Sequence, residues 1–210
     1  MAEVSNFPHS TPIVPLAARD VGRVQSKAMM SQIAGMDVRE FLGLNEGKWV
    51  SQRSSHPADF QPTGNGKAEM TIVALAADDA VVADLCRQDH IDPQAATGGM
   101  KISWQGMMAW DKDTVNQNGS TAIALIPDGD NANCGKLLQA SGAGKSPIVG
   151  RYSLEADEAM TFTIDDGKVQ NEERIWFASP NLRMRTNVYR DDKGMGHSSF
   201  CSEIRSIKSS

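Results

Sequence analysis

The chain has 210 residues, 40% of them hydrophobic and 22% charged, with a formal net charge of −5. That length suits one domain with a substantial core and argues against a second large one, and the composition is that of a soluble globular protein. No Lys/Arg cluster interleaves with aromatics, which speaks against a nucleic-acid partner, and no apolar run approaches the roughly 18 residues of a membrane span.

Residues 1–35 differ from the rest. They hold three of the nine prolines, and their acids Glu3 and Asp20 face Arg19, Arg23 and Lys27, a local charge of +1 against −6 for the remainder. Low acid content with Ser, Ala and Arg fits a piece of an organelle transit peptide; a disordered extension fits equally. The fold is expected in residues 36–210. A short helix is predicted from Asp37 to Leu44, where Val38, Phe41 and Leu42 have helical spacing, and a second from Asp78 to Gln88, with Val81, Val82, Leu85 and Cys86 as its apolar stripe.

Everything else reads as short strands: Lys48–Ser54, Lys67–Leu75, Met100–Trp104, Met107–Trp110, Ser120–Ile126, Gly135–Gln139, Ile148–Leu154, Met160–Ile164, Val169–Phe177, Leu182–Tyr189 and Ser198–Ile207. Gly64-Asn65-Gly66, Asn118-Gly119, Asp166-Gly167 and Lys193-Gly194 supply hairpin turn chemistry between them. About ten strands with few helices to cover a sheet imply an antiparallel barrel or sandwich. Gly47-Lys48-Trp49 is the Gly-x-Trp that opens the first strand of lipocalin-like proteins, and Arg205 stands in the last strand, where such folds lay an Arg over that indole. The expectation is an all-β, lipocalin-like (calycin) up-and-down barrel with one or two short helices.

The run from Glu173 to Thr186 carries the chemistry. Arg183 and Arg185 lie two apart on a strand, so both leave one face, while Leu182, Met184 and Val188 leave the other. Two parallel guanidinium forks suit a ligand with two carboxylates; a solvated outer face is the alternative. Cys86, Cys134 and Cys201 are far apart with no Cys-x-x-Cys, and His9, His56, His90 and His197 are scattered, so free thiols and no metal site are expected.

Gly47–Arg53, Gly98–Trp104, Met108–Asp111, Lys136–Leu138, Gly150–Tyr152, Glu173–Thr186 and Phe200–Arg205 together resemble the S-type (CpcS/CpeS) phycobiliprotein chromophore lyases, in family order from about Met36 to Ile207. Three departures are Pro57, where the family often has a second His; Thr163-Ile164-Asp165, where it usually has Thr-Glu-Tyr; and the first 35 residues, which compact bacterial members lack. The resemblance implies a barrel that binds a linear tetrapyrrole, such as phycoerythrobilin or phycocyanobilin. It also implies thioether attachment of that pigment to a cysteine of an apo-phycobiliprotein subunit.

On that reading the pigment is the substrate, no cofactor is needed, and the chain's own cysteines need not react. The resemblance further implies a homodimer, and a plastid stroma or cyanobacterial cytoplasm as the compartment. Arg183 and Arg185 are the expected propionate ligands, with Arg53, Trp104 and Trp110 also against the pigment. Glu173 and Glu203 are the expected catalytic acids, either bonding the pyrrole N–H groups or donating a proton, the latter requiring a carboxyl raised by burial. The competing reading is a bilin carrier that never promotes attachment.

Overall fold

In a computed structural model of the chain, which describes residues 35–57, 64–108, 117–142, 145–194 and 196–206, ten strands hydrogen-bond in chain order and the last closes on the first. They are β1 (Gly47–Pro57), β2 (Gly64–Leu75), β3 (Gly98–Met108), β4 (Gln117–Asp128), β5 (Asn131–Gln139), β6 (Ile148–Leu154), β7 (Met160–Asp165), β8 (Val169–Ser179), β9 (Leu182–Asp191) and β10 (Gly196–Arg205). Every pairing is antiparallel, so this is the expected up-and-down barrel, with no free sheet edge. Residues 1–34 of the expected N-terminal segment, and Trp110, lie outside the described residues. Among the described residues no helix is long and apolar enough to cross a membrane.

Two expectations from turn chemistry change. Met100–Trp104 and Met107–Trp110 were separate candidates, but Gly106 pairs with Ala68 and Gln117, so one strand runs through to Met108. Asn118-Gly119 is not a turn: both residues lie within β4, and a Cβ on Gly119 would stand 2.3 Å from the Trp104 ring. The glycine makes room for an indole rather than supplying a positive φ. Gly64–Gly66 likewise belong to β2. Gly167 and Gly194 do take positive φ, 80° and 74°, as hairpin turns require.

Helix α1 (Val38–Asn45) is the floor. Asp37 and Glu40 form a reciprocal capping box, and Val38, Phe41, Leu42 and Asn45 make the buried stripe. The helix packs on β2 and β3, while Phe41 meets Phe177 of β8 edge-on at 5.8 Å, so α1 spans the end of the barrel. Helix α2 (Ala80–Gln88) lies outside instead, where Val82, Leu85 and Cys86 cover Ala122, Ala124, Ile126 and Leu138.

Arg205 seals the floor. Its guanidinium lies 4.2 Å from the Trp49 ring centroid and donates to the carbonyls of Leu44 (2.7 Å), Pro180 (3.2 Å) and Glu46. Trp49, 1% exposed, donates its indole N–H to the Asn45 carbonyl at 2.8 Å. Arg205→Ala should therefore lower stability by about 2–4 kcal/mol in urea unfolding, since charged hydrogen bonds and a cation–π cover are lost together. A loss under about 0.5 kcal/mol, the scale of an ordinary surface change, would show that the floor does not depend on it.

Candidate functional site

Antiparallel register sorts the inward side chains of β1, β10, β9 and β8 into levels, each roughly 7 Å above the last. The lowest holds Ser51, Glu203, Arg183 and Phe177; the next holds Arg53, Cys201, Arg185 and Ile175. Above them come Ser55, Ser199, Asn187 and Glu173, and at the open end His197, Tyr189 and Asn171. On β10 the outward positions are Phe200 and Ile204, 41% and 60% exposed. The apolar pair faces solvent and the polar row faces the lumen.

Glu203 is the hub. It is fully buried and accepts from Arg183 at 2.5 and 2.6 Å, from Arg185 at 3.0 and 3.1 Å, and from the Ser51 hydroxyl at 3.1 Å. Burial alone would raise its carboxyl, but Arg185 and Arg183 outweigh that and hold it below the ordinary value. The raised carboxyl that a proton-donating role for Glu203 requires is therefore absent; it is an anion between two cations.

Arg183 and Arg185 do share the inward face, yet they are not equivalent. Arg183 is 3% exposed, bonded to Glu203 and the Asn45 side-chain oxygen, and its guanidinium lies 5.1 Å from the Trp49 centroid. It is built into the floor. Arg185 is one level higher and also reaches Glu173 at 3.1 Å and the Cys201 sulfur at 3.6 Å. Burial would lower this guanidinium, but Glu173 and Glu203 hold it above its ordinary value. Burial also pushes the Cys201 thiol up, with Arg185 opposing, so the sulfur stays protonated.

Above this network is a cavity of about 350 Å³, lined by Ser51, Arg53, Met70, Trp104, Glu173 and Arg185 among others. A second, of about 110 Å³ and lined also by Arg183, adjoins it and shares Met70, Ile102, Thr121, Glu173 and Arg185. The structure thus brings Arg53, Trp104, Glu173 and Arg185 together at the first cavity, puts Arg183 with Glu173 and Arg185 at the second, and buries Glu203 behind the arginines, while Trp110 lies outside the described residues. Two residues went unassigned from sequence. Ser51 had a signal, being in step with Trp49 and Arg53. Asn45 had another: it is the polar member of the α1 stripe, and a buried amide there demands partners, which are Phe41 and Arg183.

A mixed lumen of this kind, with Met70, Ile102 and Trp104 on the β2–β4 side, Lys67 beside them and Arg185 on β9, fits an extended conjugated ligand that carries acids. Comparison with known proteins agrees in kind. The model of the CpeS-like protein family matches residues 37–206. The chain belongs to that family. It is 44% identical over 172 residues to a chromophore lyase CpcS/CpeS of Thermosynechococcus vestitus, covering 81% of this chain and 93% of that one. It is 35% identical to the phycocyanobilin lyase subunit CpcS of a Picosynechococcus strain, covering 80% and 86%. Among solved structures, the S-type phycobiliprotein lyase CPES of Guillardia theta superposes with a TM-score of 0.74 at 31% identity, covering 85% of this chain and 98% of that one.

For this CpeS-like chain, Glu203→Gln removes the shared counter-ion of two buried guanidinium groups. Breaking such a pair from one side costs about 3–5 kcal/mol at neutral pH. Because the folded carboxyl sits below its unfolded value, the stabilisation is present above the ordinary carboxylate range and disappears as pH falls through the lower folded value. Urea unfolding should therefore show a large gap between wild type and variant at pH 7 that narrows in strong acid. Equal stability at pH 7 would remove the hub role.

Proposed function

We propose that this chain is a chromophore lyase that binds a linear tetrapyrrole and joins it by a thioether bond to a cysteine of an apo-phycobiliprotein subunit. The carrying observation is one level of the barrel wall: Arg53 on β1 and Arg185 on β9 flank Cys201 on β10, all inward, beside a cavity open away from α1. The two arginines stand two strands apart, about 10 Å between their backbone positions, and suit the two propionates of a bilin. This replaces the Arg183–Arg185 pair as the clamp, with Arg183 as its foundation.

Charge supports the reading: Arg53, Lys67 and Arg185 bring cationic side chains to the cavity that a dianionic pigment would enter. Glu173, half-buried at the cavity wall, is the carboxylate available to pyrrole N–H groups; Trp104 offers an apolar face on the opposite wall. The pigment is the substrate, and the proposal assigns no cofactor to the protein. Catalysis is then chiefly orientation: one end of the pigment is presented to the incoming thiol. We place the protein where phycobiliproteins are assembled, the plastid stroma or the cyanobacterial cytoplasm.

A test combines the protein with free phycocyanobilin, follows the visible spectrum, then adds an apo-phycobiliprotein and scores pigment that survives denaturation. Wild type should bind and transfer; Arg53→Ala and Arg185→Ala should each weaken binding about tenfold or more, the scale of one charged hydrogen bond. Binding without covalent transfer identifies a carrier, and unchanged titrations remove the clamp.

The same proposal includes a homodimer. On the outward rows of β9 and β10, the stretch of Leu182, Met184, Thr186 and Val188 with Ser198, Phe200, Ser202 and Ile204 is uncharged, and Arg190 stands beyond it toward the open end. Such an uncharged face lets two copies of a negatively charged chain meet. Sedimentation velocity should give the dimer mass for wild type and the monomer mass for Phe200→Ser with Ile204→Ser; a monomeric wild type overturns it.

A further inference from the structure

At the open end of the barrel stands an imidazole that the binding network does not use. His197 lies on the inward row of β10, in step with Ser199, Cys201 and Glu203. It is exposed, and its ring stacks on Tyr189, with centroids 5.2 Å apart and planes 21° from parallel. Tyr189 is its direct cross-strand partner and in step with Arg183 and Arg185, so the pair crowns the cationic wall. Stacking fixes a ring that solvent would otherwise let rotate.

We propose that His197 is the general base that takes the proton from the acceptor thiol during attachment, with Tyr189 as its positioning residue; this rests on the lyase reading above. The geometry supplies three reasons. First, the acceptor can enter only from this end, because α1, Trp49 and Arg205 fill the other. Second, His197 is four residues above Cys201 on an extended strand, about 13 Å over the level of Arg53 and Arg185. A pigment gripped there by the propionates of its central rings extends an end ring to that height.

Third, the carboxylates stand deeper in the lumen than the reacting height: Glu203 is ion-paired to Arg183 and Arg185, and Glu173, ion-paired to Arg185, is the one proposed for the pyrrole N–H groups. The Cys201 thiol stands below the reacting height. The elements beside His197 bring Tyr189 against its ring, Arg190 and Asp191 farther along β9, and Pro57 and His56 on β1.

In the step, the imidazole nitrogen removes the S–H proton and the sulfur forms a bond to the ethylidene carbon of the end ring. The carbon–carbon π pair moves into the ring system, which takes up the proton from the imidazolium. Thiol and pigment add with no leaving group and no oxidant.

The test is single-turnover attachment with the full chain, free phycocyanobilin and an apo-phycobiliprotein. His197→Asn should give the wild-type spectrum for the noncovalent complex but attach pigment about 100-fold more slowly, the usual scale of a general base. Imidazole supplied in solution should restore part of the lost rate to a His197→Gly variant, which a merely structural role for the ring would not allow. Tyr189→Leu should slow attachment less than His197→Asn, and Tyr189→Phe, which keeps the stacked ring, should restore the rate. A His197→Asn rate equal to wild type at every pH overturns the proposal, as does a loss of pigment binding parallel to the loss of rate. If the wild-type chain attaches no pigment, the lyase reading fails first.

Discussion

One buried carboxylate organises the functional half of this barrel. Glu203 comes from the last strand, Arg183 and Arg185 from the strand before it, and Ser51 from the first, so the contacts that close the sheet also build the site. Alone in the lumen, a carboxylate or a guanidinium would carry a desolvation cost of several kcal/mol. Here each is the reason the other remains charged, and among the described residues no buried side-chain polar atom lacks a hydrogen-bond partner. Such a network fixes the depth of Arg185, and with it the height at which an anionic ligand can be held.

Depth is the coordinate along which the barrel assigns roles. The floor is sealed by α1, by the indole of Trp49 and by Arg205. The Glu203–Arg183 pair stands next, followed by the paired cations Arg53 and Arg185, then Glu173, then the open end with His197 and Tyr189. A linear molecule with acids on its central rings and a reactive group at one end has the same order of parts. The β2–β4 wall, with Met70, Ile102 and Trp104, supplies apolar surface for the conjugated plane, and Lys67 adds a cation on β2.

Periodicity made much of this legible. Parity alone placed Arg183 with Arg185, and Glu203 with Cys201 and Ser199, because a strand leaves no other choice. Which face was inside it could not say, since an outward apolar pair such as Phe200 and Ile204 imitates a core. Nor could it separate Arg183 from Arg185. Their difference is set by Asn45, which arrives from a helix 138 residues earlier, and by the tilt of Trp49 beneath it. Glycine was legible only in part. Gly167 and Gly194 are needed for positive φ, whereas Gly119 is needed for the absence of a Cβ against Trp104. The same residue type serves both demands, and only the partner across the strand tells them apart.

Cys201 clarifies what kind of catalyst this wall can be. Its thiol sits between the two cations proposed to hold the pigment, so the barrel carries a potential nucleophile of its own beside an electrophilic substrate. Guanidinium neighbours would ordinarily favour the thiolate, but burial wins and the sulfur stays protonated. Depth adds a second restraint, because the sulfur lies at the level of Arg53 and Arg185 rather than at the open end. Protonation and position together keep the internal thiol from competing with the acceptor. The protein's contribution is then to hold a reactive molecule still, withhold its own nucleophile, and leave one end exposed to the partner's.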